Sequence, residues 1–465
     1  MAQHATPTPV GASTRRATPR GKTPPMLSGG LPVLGHAIEF GRDAFGLLHR
    51  ARREGGDVVG FRLMHKPMYL LTGTEANEAF FRAPDEQLSA REPYSMMTPV
   101  FGKDVAYDAP PDKMAEQMQM LMPALRDRRM RTYGEIVAHE MDLSAQELGE
   151  RGTTDFVSYC GKLTNFTSSH CLLGPDFRGK LTEEFSALYH DLEKGIHPIG
   201  YLNPYLPIPA FRQRDRARKR LQSLISGIVQ ERRRTHHEGE DFLQTLMDAR
   251  YGDGTPMSDH EITGMLLASM FAGHHTSSVT TAWTMIELLR HPFYLARVLE
   301  QLDEVYGPEP DITFESLRKL TLIEYAIKEA LRLHPPLFML LRAALYDFEY
   351  DGYVIPKGSY LVVSPAVSHR IPSIFREPDR FDPDRFGPDR QEDKNKFNYI
   401  SFGGGRHKCL GNAFALLQIK TIFAKLLTQY EFELAGDPIE TDFSGVVIGP
   451  KAPIRVHYRR RRDRP

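Results

Sequence analysis

The segment SDHEITGMLLASMFAGHHTSSVTTAWTMIELLRHP, Ser258 to Pro292, constrains the fold more than any other part of the chain. Ser258 and Glu261 stand three apart ahead of an apolar run, the spacing of a helix capping box. Helical periodicity continues to Leu289, and His291 stops it, because a residue before proline is driven out of the helical region. About 30 helical residues span about 45 Å, so so apolar a helix must run through the interior. Yet its middle reads MFAGHHTSS, Met270 to Ser278. Gly273 costs about 1 kcal/mol against alanine at such a position. His274, His275 and Thr276 bring polar groups to a depth where a core is dry. Rules broken in mid-helix mark functional sites. Thr276 is placed to bond back to the carbonyl of Ala272 and bend or open the ladder.

A second unusual stretch is SFGGGRHKCLGNAFALLQIKTIFAKLL, Ser401 to Leu427. Three readings compete for its cysteine, Cys409: a small buried hydrophobe, a catalytic nucleophile, or a single thiolate ligand to iron. The turn favours the last. Gly403, Gly404 and Gly405 allow the backbone to approach a flat object closely. The amides after Cys409 open a helix and favour negative charge on the sulfur. Arg406, His407 and Lys408 add positive charge, and Phe402 supplies an aromatic wall. A thiolate is therefore expected, and no cysteine-hydrolase signature surrounds it.

The remaining chain sets limits. Its 465 residues are 41% hydrophobic, enough for a large core. Basic and acidic side chains balance at 59 each, which argues against a nucleic-acid footprint. Three cysteines without a CxxC pair argue against a disulfide framework and a structural zinc site, and fit a reducing compartment. No run of about 18 apolar residues predicts a membrane span, and no signal-peptide run opens the chain; a soluble, cytoplasmic protein is expected. Residues 1–30 read as a disordered lead, residues 31–458 as one domain, and residues 459–465 as a basic tail. Asp57 to Thr72 reads as a strand pair, Thr74 to Arg332 as mostly helical, and Ala343 to Pro365 as strands again. The fold class expected is mainly α with a smaller β portion.

The order Phe402, Gly405, Cys409, Gly411 resembles the haem-binding loop of the cytochrome P450 monooxygenases. EALR, with Glu329 and Arg332, is similar to that family's Glu-x-x-Arg helix. FDPDRF, Phe381 to Phe386, resembles the segment that packs on it, making a buried triad with Arg385. AGHHTS resembles the oxygen-groove motif. His407 stands where the superfamily usually has arginine, and His275 where it usually has an acid. Both substitutions, FGKDVAYDAP and KEALRLHPPLFMLLR look like the sterol 14α-demethylases, chiefly soluble bacterial members, over roughly residues 31 to 458.

The resemblance implies the P450 fold, with haem b between the long helix and the cysteine loop. It implies Cys409 as proximal iron ligand, with Phe402, Gly403, Gly405 and Gly411 shaping the loop. His407, Arg342 and Tyr94 would hold the propionates. A further basic residue is missing: its position falls at Ala115, and Lys113 is not expected to reach. On the distal side, Ala272 and Gly273 would leave room for dioxygen, Thr276 would bond it, and His275 would feed protons from an acid, Glu193 rather than Asp191. Adjacent helical positions diverge, so His274 and His275 are not expected to share a metal. The substrate pocket would draw on Met96, Phe101, Tyr107, Met114, Phe271, Ala272, Leu337 and Met339.

The implied reaction is oxidative removal of a sterol 14α-methyl group as formate, in three oxygenations that leave a ring double bond. Electrons would come from a ferredoxin and its reductase, because no flavin, nicotinamide or iron–sulfur domain is fused. Arg406, Lys408, Lys420 and Lys425 are expected to attract an acidic ferredoxin, and azole-type iron ligands to inhibit. Rival readings are a hydroxylase of another steroid, terpenoid or fatty acid, and a non-catalytic thiolate-haem sensor.

Overall fold

The central helix spans Asp259–Arg290 in the computed structural model, which describes residues 21–174, 182–196, 198–201, 203–236, 241–307 and 311–461. Its start is the capping box: Ser258 Oγ accepts from the Glu261 amide, and Glu261 accepts from the Ser258 amide at 2.8 Å. Twenty of its residues are buried, so it does cross the interior. It packs most extensively on the helix Phe156–Leu173, with Pro209–Thr235 and Thr321–Leu333 also against it.

Two apolar cores meet along this helix. One joins its C-terminal half to the helices Asp127–Leu148, Pro292–Tyr306, Thr321–Leu333 and Asn412–Gln429, around Met285, Ile327 and Phe423. The other joins its N-terminal half to Met96, Phe101, Leu192, Leu221 and Leu246. A close approach holds the second together: a Cβ on Gly264 would lie 2.2 Å from the Phe101 carbonyl, so only glycine lets the short helix Thr98–Phe101 seat there.

The β portion is smaller. A five-stranded sheet runs in the order Val58–Leu63, Lys66–Leu71, Tyr360–Val363, Leu340–Ala344 and Leu88–Ser89, antiparallel except where Lys66–Leu71 runs parallel to Tyr360–Val363. A three-stranded sheet sets Arg455–Arg460 between Arg151–Asp155 and Tyr430–Leu434. This is the mainly α architecture with minor sheets that the sequence predicts.

The ends of the domain differ from expectation. Residues 1–20 of the expected lead lie outside the described residues, while within 21–30 Pro24 and Leu27 are buried and the rest is exposed. Leu27 is buried, its amide donates to the Gly60 carbonyl, and Lys22 bridges Tyr353. Proline and glycine there serve a chain lying along a sheet edge rather than a free lead. At the other end Arg459 and Arg460 belong to a strand, and Arg459 pairs with Glu431 at 2.6 Å. The rest of the expected tail after Arg461 is outside the described residues. Among the described residues, no helix is long and apolar enough to cross a membrane.

Candidate functional site

The cysteine turn is built on glycine for a reason the sequence does not show. Gly403 and Gly405 take φ of +67° and +59°, a left-handed backbone that disfavours side chains. A Cβ on Gly405 would lie 2.2 Å from the Phe81 carbonyl, and one on Gly404 2.9 Å from the Phe81 ring. The turn is thus pressed onto the helix Thr74–Arg82, a demand for glycine that comes from the protein's own packing. The loop closes where the Cys409 amide donates to the Phe402 carbonyl at 2.8 Å. Gly411 is the opposite case: a Cβ there would meet no atom within 4 Å.

Cys409 is exposed, whereas Cys160 and Cys171 are buried and burial pushes their thiols well up. Enclosure also pushes the Cys409 thiol up; the Gly411 and Asn412 amides and Lys408 pull it down without outweighing this. A bound metal cation deprotonates a coordinating thiol outright.

Around it stand the expected propionate groups. Arg342 is buried, with its guanidinium over the Phe80 ring. His407 Nε2 lies 2.6 Å from Asp85 Oδ1, and Arg406 is 3.9 Å from the other oxygen. Burial pushes the Asp85 carboxyl up, but His407, Arg342 and Arg406 hold it below its usual value. Sequence reasoning missed Asp85, which lies 322 positions from His407 with no motif around it. Tyr94 accepts from the Leu341 amide at 3.3 Å and stacks on Tyr107 with ring centroids 4.8 Å apart. Tyr107 keeps 38% of its surface exposed, and desolvation, helped by Tyr94 and Cys409, pushes its phenol up. Ala115 is exposed, and Lys113 is turned away to Glu261 at 2.7 Å.

The polar break in the central helix faces the same region. Thr276 donates to the Ala272 carbonyl at 2.5 Å, and Ala272 is exposed although it sits at mid-helix between buried turns. A Cβ on Gly273 would lie 3.8 Å from Phe414 of the cysteine helix Asn412–Gln429. His275 Nε2 lies 2.5 Å from Glu193 Oε1, on the helix Thr182–Lys194, while Asp191 accepts from Gln213. Burial pushes the Glu193 carboxyl up, but the His274 and His275 imidazoles beside it outweigh burial and hold it at about 2. His274 Nδ1 is 3.7 Å from the same oxygen, and the two imidazole centroids are 4.4 Å apart. The expectation that these neighbours diverge is corrected: the roughly 100° between consecutive positions is closed by the reach of the rings.

The apolar candidates divide. Met96 and Phe101 are buried in the core beside the central helix, and Phe271 lies between Phe101 at 6.1 Å and His275 at 5.5 Å. Met114 is half-buried and Leu337 is exposed. Met339 packs instead with Tyr94 and Leu341 on the sheet side.

Behind the turn, Glu329, Arg332 and Arg385 have no exposure. Arg332 donates to Glu329 through Nε at 2.7 Å and Nη2 at 2.9 Å, and Arg385 Nε donates at 2.9 Å. Two expected docking charges are engaged elsewhere: Lys420 is buried against Glu324 at 2.8 Å, and Lys425 pairs with Asp142 at 2.7 Å. Arg406 and Lys408 are exposed.

An exposed cysteine on a glycine turn, facing a broken helix with cations to one side, defines a haem-thiolate scaffold. The donors fit haem: one sulfur, room at Gly411 and Ala272, and Arg342 with His407 where carboxylates need cations. The chain belongs to the cytochrome P450 family, which matches over residues 24–456. Within that family it is 44% identical over 447 residues to the sterol 14α-demethylase of Mycolicibacterium vanbaalenii, covering 95% of this chain and 98% of the relative. It is 40% identical over 448 residues to a sterol 14-demethylase of Arabidopsis thaliana, covering 95% and 92%. A solved structure of a cyanobacterial CYP120A1 with bound retinoic acid shares the fold, with TM-score 0.85 at 24% identity, covering 95% of this chain and all of that one.

Proposed function

We propose that this chain removes the 14α-methyl group of a sterol precursor by three successive oxygenations. The observation that carries the reading is the similarity to sterol 14α-demethylases along nearly the full length of both chains. Each round consumes dioxygen, two electrons and two protons and yields water. The methyl becomes alcohol, then aldehyde, then leaves as formate with a double bond at C14–C15.

Haem ligated by Cys409 would supply oxygen activation, because an axial thiolate pushes electron density that favours O–O cleavage. Arg342, His407 and Tyr94 would hold the propionates, with Phe402, Gly403, Gly405 and Gly411 shaping the loop. Thr276 places a hydroxyl beside the Ala272 carbonyl, where it can accept and pass a proton. His275 and Glu193 form the polar path behind it. Phe101 and Phe271 wall the substrate side, with Met96, Met114, Tyr107 and Leu337 completing it. The triad of Glu329, Arg332 and Arg385 braces the cysteine turn from behind.

The reading extends to a ferredoxin with its reductase as electron source, meeting Arg406 and Lys408, to inhibition by azole-type iron ligands, and to a cytoplasmic location. The test is mass spectrometry of products from lanosterol, eburicol and obtusifoliol with a reconstituted ferredoxin system. Demethylated sterol with equimolar formate supports it. A reduced, carbon monoxide-treated protein with the thiolate Soret signature but no demethylated product from any of them overturns it.

A further inference from the structure

We propose that Glu193, His274 and His275 form a second metal site, separate from Cys409, for a divalent cation of the zinc class. One ligand atom from each residue lies within 4.8 Å of the others. Glu193 Oε1 is the hub, 2.5 Å from His275 Nε2 and 3.7 Å from His274 Nδ1.

The state of His274 is the observation that points to a ligand. This residue is 9% exposed. Its Nε2 faces the Gly161 carbonyl at 3.0 Å, which places the ring proton on that nitrogen. In the neutral ring Nδ1 then carries a lone pair; it is buried, and Glu193 Oε1 at 3.7 Å lies beyond hydrogen-bond distance. A metal-bound histidine has this arrangement, with the far nitrogen donating to a backbone carbonyl that fixes tautomer and ring orientation. Two imidazoles and one carboxylate match a zinc donor set that leaves a fourth position to water. With imidazoles as two of three donors, the site disfavours magnesium and calcium, which take oxygen ligands.

Metal–ligand bonds of about 2.0–2.2 Å require the Glu193–His275 contact to open and the widest spacing to close, each by an ångström or so. Glu193 sits near the end of its own helix, Thr182–Lys194, so the hub and the two imidazoles adjust on separate elements. Binding replaces the His275–Glu193 hydrogen bond, and the proton they share leaves to solvent. If that bond also carries protons to Thr276, as the proposed function has it, zinc inhibits turnover.

The test is titration of untagged holoenzyme with zinc against a fluorescent zinc indicator, beside His274→Gln and Glu193→Gln. Glutamine at 274 keeps a donor for the Gly161 carbonyl while removing the lone pair. One zinc per native chain is expected, weakened at least tenfold by either variant. Equal zinc affinity in all three, or none in the native protein, overturns the site. Zinc-edge X-ray absorption on the native protein reads the ligands without any variant: two imidazole scatterers are expected, and fewer overturn the site. Zinc that binds with this signature but leaves turnover unchanged overturns the proton path and not the metal site.

Discussion

Arg385 Nε donates to Glu329 Oε1 across 2.9 Å, and neither side chain has any exposure. The same carboxylate accepts from Arg332 Nε and Nη2 and from the Asp382 amide. Removing it leaves two buried guanidinium groups with one remaining acid, Glu392, on Arg385. Breaking a buried pair from one side costs about 3–5 kcal/mol. Glu329→Gln is therefore expected to lower the yield of haem-loaded protein and its melting temperature, read by absorbance and thermal unfolding. A variant with native melting and native haem content would contradict this.

Two glycines of the cysteine turn are expected to behave in opposite ways. Gly405→Ala drives a Cβ into the Phe81 carbonyl at 2.2 Å and needs a left-handed backbone. It should destabilise the protein by about 1–3 kcal/mol. Gly411→Ala meets no protein atom within 4 Å. Its unfolding should stay near native while haem content falls, if the space beside Cys409 serves the cofactor. Denaturant unfolding and haem-to-protein ratio, measured on both, separate the two causes.

Acid should weaken the N-terminus of the central helix. Burial pushes the Glu261 carboxyl up, but hydrogen bonds from Lys113, Ser258 and Tyr251 outweigh it and hold it at about 2. A depressed carboxyl stabilises the fold fully above its unfolded value near 4.5, and that contribution disappears as pH falls toward 2. Glu261→Gln should cost about 1 kcal/mol at neutral pH through the lost charge facing Lys113 and the helix N-terminus, since glutamine still accepts from the Ser258 amide. It should also flatten the stability curve between pH 4.5 and 2, as followed by urea unfolding at each pH.

Thr276→Ala removes a hydroxyl whose structural bond is a local one to Ala272. Such back-bonding adds little to stability and can slightly destabilise a helix. Melting is expected within about 0.5 kcal/mol of native, with the Cys409 spectral signature intact and turnover reduced about tenfold or more. Turnover at the native rate would remove Thr276 from the proton path.

Charge changes on the cysteine face should sort by burial. Lys420 is buried against Glu324, so Lys420→Ala should cost about 1–3 kcal/mol and leave the salt dependence of ferredoxin reduction unchanged. Lys408 is exposed, so Lys408→Glu should leave unfolding unchanged and slow reduction most at low salt. Stopped-flow reduction across ionic strength checks both.

The capping box at Ser258, the mid-helix break at Gly273 to Thr276, and the cysteine turn are local patterns, so they were readable along the chain. The divergence expected of His274 and His275 was also local reasoning, and it failed because both rings turn toward one acid on another helix. Lys420 illustrates the same limit: helical spacing gives a residue's face, while the neighbour that covers the face is a distant segment.

From sequence alone followed the helix that must be buried and the thiol on a glycine turn, and the resemblance of those motifs to a known family implied the class of chemistry. These depend on periodicity, capping and backbone conformation, which act over a few residues. Only the tertiary structure decided that Phe81 demands the turn's glycines, that Asp85 meets His407, and that Glu193 gathers two imidazoles. Those relations join residues about 80 to more than 300 positions apart, and no spacing rule along a chain encodes which surfaces its folding will press together.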